Sequence, residues 1–341
     1  MDSKKKISLI FKDKKTEPFF IAEIGANHNG SIELAKKQIL LAKKSGADCV
    51  KFQNFSISNL FSEKFYPKGS NIHKQIKKYS LNYDNFVELY VFSRKNNILF
   101  SSTPFSEDDV DFLVKKIDVP FIKVASMDLN NTFLIEYISK SKKPIILSTG
   151  LSSYKEISNS VEILKKKNCN FALLHCISEY PPKNKDLNLN RINKLKNLFK
   201  VPVGFSDHSI GIIPSLTAVS VGACIIEKHF TSNKNLSGWD HNISADYKDL
   251  KELIYISKKI YISLGNSEIK PIESIKKIKS FRRSVVAKFP LKKGTVLTKN
   301  NIAFKRPGNG ISPDKIKSFF GYKLNKKLSF DELILRRHLI K

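Results

Sequence analysis

Two lysines, two histidines and two glutamates close short, strongly apolar runs of this chain. Glu23 stands in FFIAEIG, Lys51 in DCVKFQ, Lys123 in PFIKVAS, His208 directly after VPVGFSD, and Glu227 and His229 in ACIIEKHF. Hydroxyls and amides end the same runs or their neighbours: Gln53, Ser102 and Thr103, Ser126, Ser148 and Thr149, Ser206 beside Asp207, and His175, Ser178 and Tyr180 after FALL. Two lysines and several hydroxyls brought to one mouth make a cationic, donor-rich pocket suited to a phosphate and a carboxylate. His208 and His229, with Asp207, Glu227 and Asp240 near, suit a divalent metal that keeps open coordination positions. Spacing alone does not establish the metal, because no short HxxxH-type motif is present. Each residue also has an ordinary role open to it, since a buried lysine can pair with a carboxylate and a lone histidine can satisfy a backbone carbonyl.

The apolar runs that must position these groups recur at 19–25, 48–53, 98–104, 120–126, 144–150, 171–176, 201–207 and 223–230. Each ends in a polar cluster and is followed by a stretch with helical period, such as 31–44 with Ser31 as N-cap, or 246–264 after the last run. Strands that are almost continuously apolar are buried on both faces, and regular βα alternation predicts a parallel sheet closed into a (β/α)8 TIM barrel. An open doubly wound sheet is the alternative, because periodicity does not show closure. In such barrels the chemistry sits at the C-terminal ends of the strands, where the residues above fall. The pattern changes after Gly265. The expected organisation is a barrel domain over 1–264 with a short N-terminal cap at 1–18, a linker over 265–283, and a small β-rich domain over 284–341, rich in Gly and Pro turns.

Bulk properties narrow the function classes. The 341 residues, 41 % of them hydrophobic, suffice for one large core and a modest second module. The formal charge of +29 admits a nucleic-acid partner, but all but seven of the 60 basic residues are lysines, scattered without a sustained run or an aromatic-interleaved RNA-binding motif. Solvated surface lysines that help collect an anionic substrate are the better reading, with no nucleic acid and no membrane as partner. Cys49, Cys169, Cys176 and Cys224 lack CxxC spacing and read as reduced core thiols, which points to the cytoplasm. No export signal or spanning segment is expected from the N-terminus or the later apolar runs.

The segments AEIGANHNGS, VKFQ, SSTPF, KVAS, ILSTG, LLHC with Tyr180 and Pro181, GFSDH and EKHFT are similar, in order and spacing, to the sialic acid synthase family. The tail FKRPGNG, residues 304–310, resembles the antifreeze-like (SAF) domain that ends those enzymes, so the resemblance covers nearly the whole chain. It implies a transferase of the N-acetylneuraminate synthase type (EC 2.5.1.-, 2.5.1.56 foremost). Such an enzyme condenses phosphoenolpyruvate with N-acetylmannosamine or a related N-acylated hexose, with water, to a sialic acid and phosphate. By the same resemblance Lys51, Thr103, Lys123, Ser126, Ser148 and Ser206 hold phosphoenolpyruvate, and His208 and His229 ligate a divalent metal, Mn2+ or Mg2+. Glu23, Glu227 and Asp240 serve the chemistry, and Asn27, Gln53, Asp128, Ser178, Tyr180 and Arg306 serve the sugar. Arg306 is implied to reach a partner subunit's site, which makes the enzyme a domain-swapped homodimer.

Two positions depart from the family pattern. Ser178 stands where the neuraminate enzymes commonly carry asparagine, and Trp239-Asp240 where Pro-Asp is usual. Both fall on the sugar side, which brings legionaminate or pseudaminate synthase forward as the alternative. The rival chemistry on this barrel is a Schiff-base aldolase with Lys123 as nucleophile, and the rival class is a basic nucleic-acid-binding protein.

Overall fold

The computed structural model describes residues 1–341, apart from the side chains of Ile57 and Ser58. The chain divides into two compact units, Met1–Gly265 and Asn266–Lys341.

In the first unit the parallel strands are β1 (Phe19–Gly25), β2 (Cys49–Asn54), β3 (Leu99–Pro104), β4 (Ile122–Val124), β5 (Ile145–Ser148), β6 (Phe171–Cys176), β7 (Val203–Asp207) and β8 (Ile225–His229). They are ordered β3-β2-β1-β8-β7-β6-β5-β4, the sequence of a TIM-like barrel. The backbone ladder is interrupted between β3 and β4, where the Ser101 hydroxyl donates to the Phe121 carbonyl at 2.9 Å across the seam.

Side chains alternate across a strand, so each strand has an inward and an outward set. The inward set includes Phe19, Ile21, Cys49, Phe121, Ile146, Ala172, Leu174 and Ile225, which form one buried cluster. The outward set, among them Phe20, Ala22, Val50, Phe52, Ile122, Leu147, Leu173 and Phe205, packs into the larger core shared with the helices. Two residues further along from Ile21, Cys49, Phe121, Ile146, Leu174 and Ile225 stand Glu23, Lys51, Lys123, Ser148, Cys176 and Glu227. The apolar layer is therefore a floor, and the next inward layer is polar.

An N-terminal helix, Ser3–Phe11, adds Ile7 and Ile10 to the inward cluster and plugs the opposite end. Burying each such isoleucine is worth about 1.5–3 kcal/mol. Asp48 anchors the helix: it pairs with Lys6 at 2.7 Å, accepts from Ser3 Oγ at 2.8 Å and from the Phe20 N–H at 2.9 Å. Helix Ile32–Ser45 starts at Ser31, whose Oγ accepts the Leu34 N–H, and stops at Gly46, which takes the left-handed φ of 92°. Helix Tyr247–Leu264 begins on a capping box from Asp246 to Asp249. Between β2 and β3 the chain inserts two short helices, Ile57–Leu60 and Asn71–Tyr79, ahead of the expected crossover helix Tyr83–Lys95.

In the second unit β9 (Ser284–Ala287) pairs antiparallel with β10 (Ile302–Lys305), and β11 (Lys323–Leu324) with β12 (Leu339–Ile340). Val285, Ala287, Leu297, Ile302, Leu324 and Ile334 are central to its own small core. The segment expected as a linker carries a helix, Ile275–Phe281, capped by Ser274 and with no buried residue of its own. Among the described residues no helix is long and apolar enough to cross a membrane.

Candidate active site

The inward polar layer surrounds a cavity of about 240 Å³ at the C-terminal strand ends. It is lined by Glu23, Lys51, Gln53, Thr103, Lys123, Ser126, Ser148, Ser178, Tyr180, Ser206, His208, Glu227 and His229, with Cys176, Ala125 and the apolar Phe105, Met127 and Leu151. At its base lie four buried charged side chains. Lys51 Nζ is 2.5 Å from Glu23 Oε2 and 3.7 Å from Glu227 Oε2, and Lys123 Nζ is 3.9 Å from Glu227 Oε1. Hydroxyls meet three of these four groups. Lys51 donates to Thr103 Oγ1 at 3.0 Å, Lys123 to Ser148 Oγ at 2.6 Å, and Ser206 Oγ to Glu227 Oε1 at 2.9 Å. Gln53 Nε2 donates to Glu23 Oε1 at 3.2 Å, and Ser126 Oγ accepts the Gly150 N–H at 3.1 Å.

The two glutamates share these cations unequally, and their acidities part accordingly. Burial lifts Glu23 to about 7; Lys51 pulls against that rise while the charge of Glu227 adds to it. Burial also opposes ionisation of Glu227, but Lys123 and Lys51 together, with the Ser206 hydroxyl, outweigh it and hold this carboxyl below its ordinary value. Burial disfavours the Lys51 cation, yet the two carboxylates raise it above its usual value. Lys123 is lowered, because burial and the neighbouring Lys51 exceed the help from Glu227. One carboxylate is thus fixed in the ionised form and the other is poised near neutrality, the division of labour that acid–base chemistry uses.

Above the carboxylates stand the two histidines, ring centroids 5.4 Å apart. His208 Nδ1 donates to the Ile177 carbonyl at 2.8 Å and Nε2 faces the Tyr180 hydroxyl at 3.3 Å; burial opposes the His208 cation, but Cys176 and the Ile177 carbonyl raise its pKa above the ordinary value. Tyr180 stacks on the His208 ring at 4.1 Å. His229 Nδ1 is buried without a hydrogen-bond partner, 3.7 Å from Asp240 Oδ2. Burial, then His208 and Lys51, push the His229 pKa well down, so its imidazole is neutral. Two imidazoles, one anchored to a carbonyl and the other with an orphaned nitrogen, are a donor set that fits a divalent cation. Among the described residues no three His, Cys, Asp or Glu side chains converge on one point, so water and substrate would complete the coordination shell.

Strand alternation removes several candidates from this cavity. His175 faces outward and its Nε2 meets the Leu187 carbonyl at 2.7 Å; Thr149 Oγ1 donates to the Leu174 carbonyl at 3.1 Å. Asp207 also faces outward. It pairs with the buried Lys228 at 3.0 Å and accepts from Ser209 and Ser215, so it braces the strand ends and offers no metal ligand. Among the described residues Asn27, Asp128 and Asp240 stand outside the lining. Asn27 has its amide bonded to the loop after β8, Asp128 Oδ1 accepts from Asn131 at 3.2 Å, and Asp240 stands behind His229. Arg306 belongs to the second unit, where its guanidinium lies 4.8 Å from the Phe281 ring. Sequence reasoning placed Cys176 in the core; it lines the cavity, 3.9 Å from His208 Nδ1. It shares the inward face of β6 with Leu174, two residues before it.

The NeuB family profile matches residues 38–269, and the SAF domain profile matches residues 282–340. The chain belongs to the NeuB family. Among its relatives, the N,N'-diacetyllegionaminic acid synthase of Campylobacter jejuni is 40 % identical over 334 residues, 94 % of this chain and 99 % of that one. The pseudaminic acid synthase of the same species is 35 % identical over 333 residues, covering 94 % and 96 %. In three dimensions the N-acetylneuraminic acid synthetase of Leptospira borgpetersenii, solved with citrate, superposes with a TM-score of 0.72 at 38 % identity, over 77 % of this chain and 90 % of that one. The cavity of this NeuB-family barrel is thus built on the segments that carry the resemblance, from AEIGANHNGS to EKHFT.

Proposed function

We propose that this chain is a nonulosonic acid synthase, which condenses phosphoenolpyruvate with the open-chain aldehyde of N-acetylmannosamine or a related N-acylated hexose. The observation that carries the reading is the buried pair Lys51 and Lys123, set among hydroxyls beside two carboxylates of divergent acidity. Two ammonium groups set among hydroxyl donors suit a small anion that bears both a carboxylate and a phosphate. Thr103, Ser126, Ser148 and Ser206 complete that cradle.

The reaction joins C3 of the enol phosphate to the aldehyde carbon. The aldehyde oxygen gains a proton, water adds at C2, and the C2 hemiketal phosphate releases inorganic phosphate. Attack leaves positive charge at C2, which the fixed carboxylate of Glu227 stabilises. Glu23, poised near neutrality, takes the proton of the incoming water. A divalent cation, manganese or magnesium, held by His208 and His229 would supply Lewis acidity toward the aldehyde oxygen. Gln53, Ser178 and Tyr180 face the sugar, with Asp128 and an Arg306 contributed by a partner subunit assigned to its substituents and Asp240 to a hydroxyl or an ordered water. The active assembly is assigned as a domain-swapped homodimer working in the cytoplasm. Free cysteines support that compartment, since Cys49, Cys169, Cys176 and Cys224 form no disulfide.

A second acceptor is favoured by the 40 % identity to a synthase of N,N'-diacetyllegionaminic acid. That product carries two N-acetyl groups and phosphoenolpyruvate has no nitrogen, so its acceptor must bring both. The test is incubation with phosphoenolpyruvate, Mn2+ and a panel of mono- and di-N-acylated hexoses, with phosphate release and product mass as readouts. Nine-carbon acids are expected, and the best acceptor decides between N-acetylneuraminate-type and legionaminate-type synthesis. No phosphate release with any acceptor overturns the assignment. Borohydride treatment in the presence of pyruvate is expected to leave Lys123 unmodified, although burial lowers its pKa in the direction a Schiff-base lysine needs. Covalent labelling of Lys123 would move the chemistry to an aldolase.

A further inference from the structure

Asn27 lies in the turn after β1 and is 2 % exposed. Its side-chain amide donates to the Phe230 carbonyl at 3.0 Å and to Ser244 Oγ at 2.9 Å, so both of its hydrogens are committed to the loop that follows β8. Its backbone carbonyl accepts from the buried Gln38 Nε2 at 2.9 Å, which fixes the turn from the helix side. Ser244 Oγ passes the connection on, donating to the Asp240 carbonyl at 2.6 Å. Asp240 Oδ2 then lies 3.7 Å from the orphaned Nδ1 of His229.

The same loop is held at other points. The Thr231 N–H donates to the Ala245 carbonyl at 2.9 Å and the Ala245 N–H to the His229 carbonyl at 2.8 Å, which zips its two ends together. His241, fully buried, meets Thr231 Oγ1 at 2.7 Å and Asn29 Oδ1 at 3.3 Å, while Asn29 Nδ2 donates to the Ser237 carbonyl at 2.9 Å. A Cβ at Gly238 would fall 2.5 Å from His241 Cδ2 and 2.9 Å from Asn29 Oδ1, so any other residue there would have to displace the buried His241 ring or Asn29.

We infer that Asn27, acting through Ser244, is a positioning residue: the bridge from the β1 turn to the β8 loop holds Asp240 against His229, and Asn27 does not contact the sugar. The inference builds on the synthase reading of this site and replaces the direct sugar contact expected for Asn27 from sequence. A residue that acts only through another has no effect left once that other is gone, which a double-mutant cycle detects.

Asn27→Ala and Ser244→Ala are made alone and in an Asp240→Ala background, and phosphate release is followed against acceptor concentration. Each single variant is expected to lower kcat/KM for the acceptor by about tenfold to hundredfold, the usual effect of removing a residue that orients a ligand of the site. In the Asp240→Ala background each should change it by less than about twofold. Ser244→Thr, which keeps the hydroxyl, should restore the bridge and the rate. Full additivity of Asn27→Ala with Asp240→Ala, together with wild-type behaviour of Ser244→Ala, overturns the inference and makes Asn27 a direct contact. If Asn27→Ala does not fold, the Ser244→Ala and Ser244→Thr pair decides alone. Limited proteolysis of the ligand-free protein is the second readout: cleavage within 231–245 should accelerate in both bridge variants and not in Gln53→Ala. Should wild-type protein release no phosphate, the synthase reading fails by itself. Unchanged cleavage of the bridge variants would still remove the positioning role.

Discussion

Glu23→Gln is expected to lower kcat by about 10²–10⁴-fold, the range that general acid–base catalysis supplies, while phosphoenolpyruvate still binds. The substitution keeps the size of the side chain and its contact with Gln53, and it leaves Lys51 free to pair with Glu227 at 3.7 Å. What it removes is a group able to accept a proton. In the wild type, with Glu23 lifted to about 7, kcat/KM should rise with pH through a midpoint near 7, because only the ionised carboxylate can take the proton of water. Below that midpoint the carboxyl is occupied and the rate falls. The residual activity of Glu23→Gln should lack this limb. Initial-rate profiles from pH 5.5 to 8.5 with calorimetric titration of phosphoenolpyruvate check both parts. Near-normal turnover in the variant would transfer the water chemistry to Glu227.

The barrel was legible because each strand carries its signal locally. The run FFIAEIG is β1 to the residue, Ser31 caps the helix it was expected to cap, and the helix expected over 246–264 runs from Tyr247 to Leu264. What the sequence could not show is which alternate residues face inward. Strands buried on both faces are apolar throughout, so hydrophobic pattern gives no parity: Asp207 and Thr149 stand as eligible as Ser206 and Ser148, and Cys176 reads as a core thiol. The structure fixes parity by what lies beneath each group: Lys51 stands above Cys49 and Glu227 above Ile225, whereas Asp207 is drawn outward to the buried ammonium of Lys228. Loop residues such as Asn27 and Asp128 were the least legible. Asn27 meets partners set by the return path of the loop after β8, and Asp128 is held by Asn131 within its own turn, neither of which a strand register encodes. The seam between β3 and β4, bridged by Ser101, was hidden for the same reason.

Lys51→Met should both abolish productive phosphoenolpyruvate binding and destabilise the barrel, and the destabilisation should depend on pH. Removing one member of a buried charge network commonly costs about 3–5 kcal/mol, because the partners are left buried and uncompensated. Glu227 keeps Lys123 at 3.9 Å, but Glu23 loses the cation at 2.5 Å. Its carboxyl already sits at about 7 through burial, against the lowering influence of Lys51, and losing that influence moves it higher still. A carboxyl whose folded value exceeds its unfolded value costs stability as pH rises past the unfolded value, and the cost stops growing once pH passes the folded value. In the wild type the cost therefore levels off near pH 7; in Lys51→Met it continues to grow above it. The gap between the two proteins should be smaller at pH 5, where Glu23 is protonated in both folded states and only the contact with Glu227 is lost, and should widen between pH 7 and pH 9. Thermal melts of the full chain across that range, with binding of phosphoenolpyruvate followed by calorimetry, test the expectation. An equal gap at pH 5 and pH 9 would mean that Lys51 supports the barrel through the packing of its stem alone, and that Glu23 finds its counter-charge elsewhere.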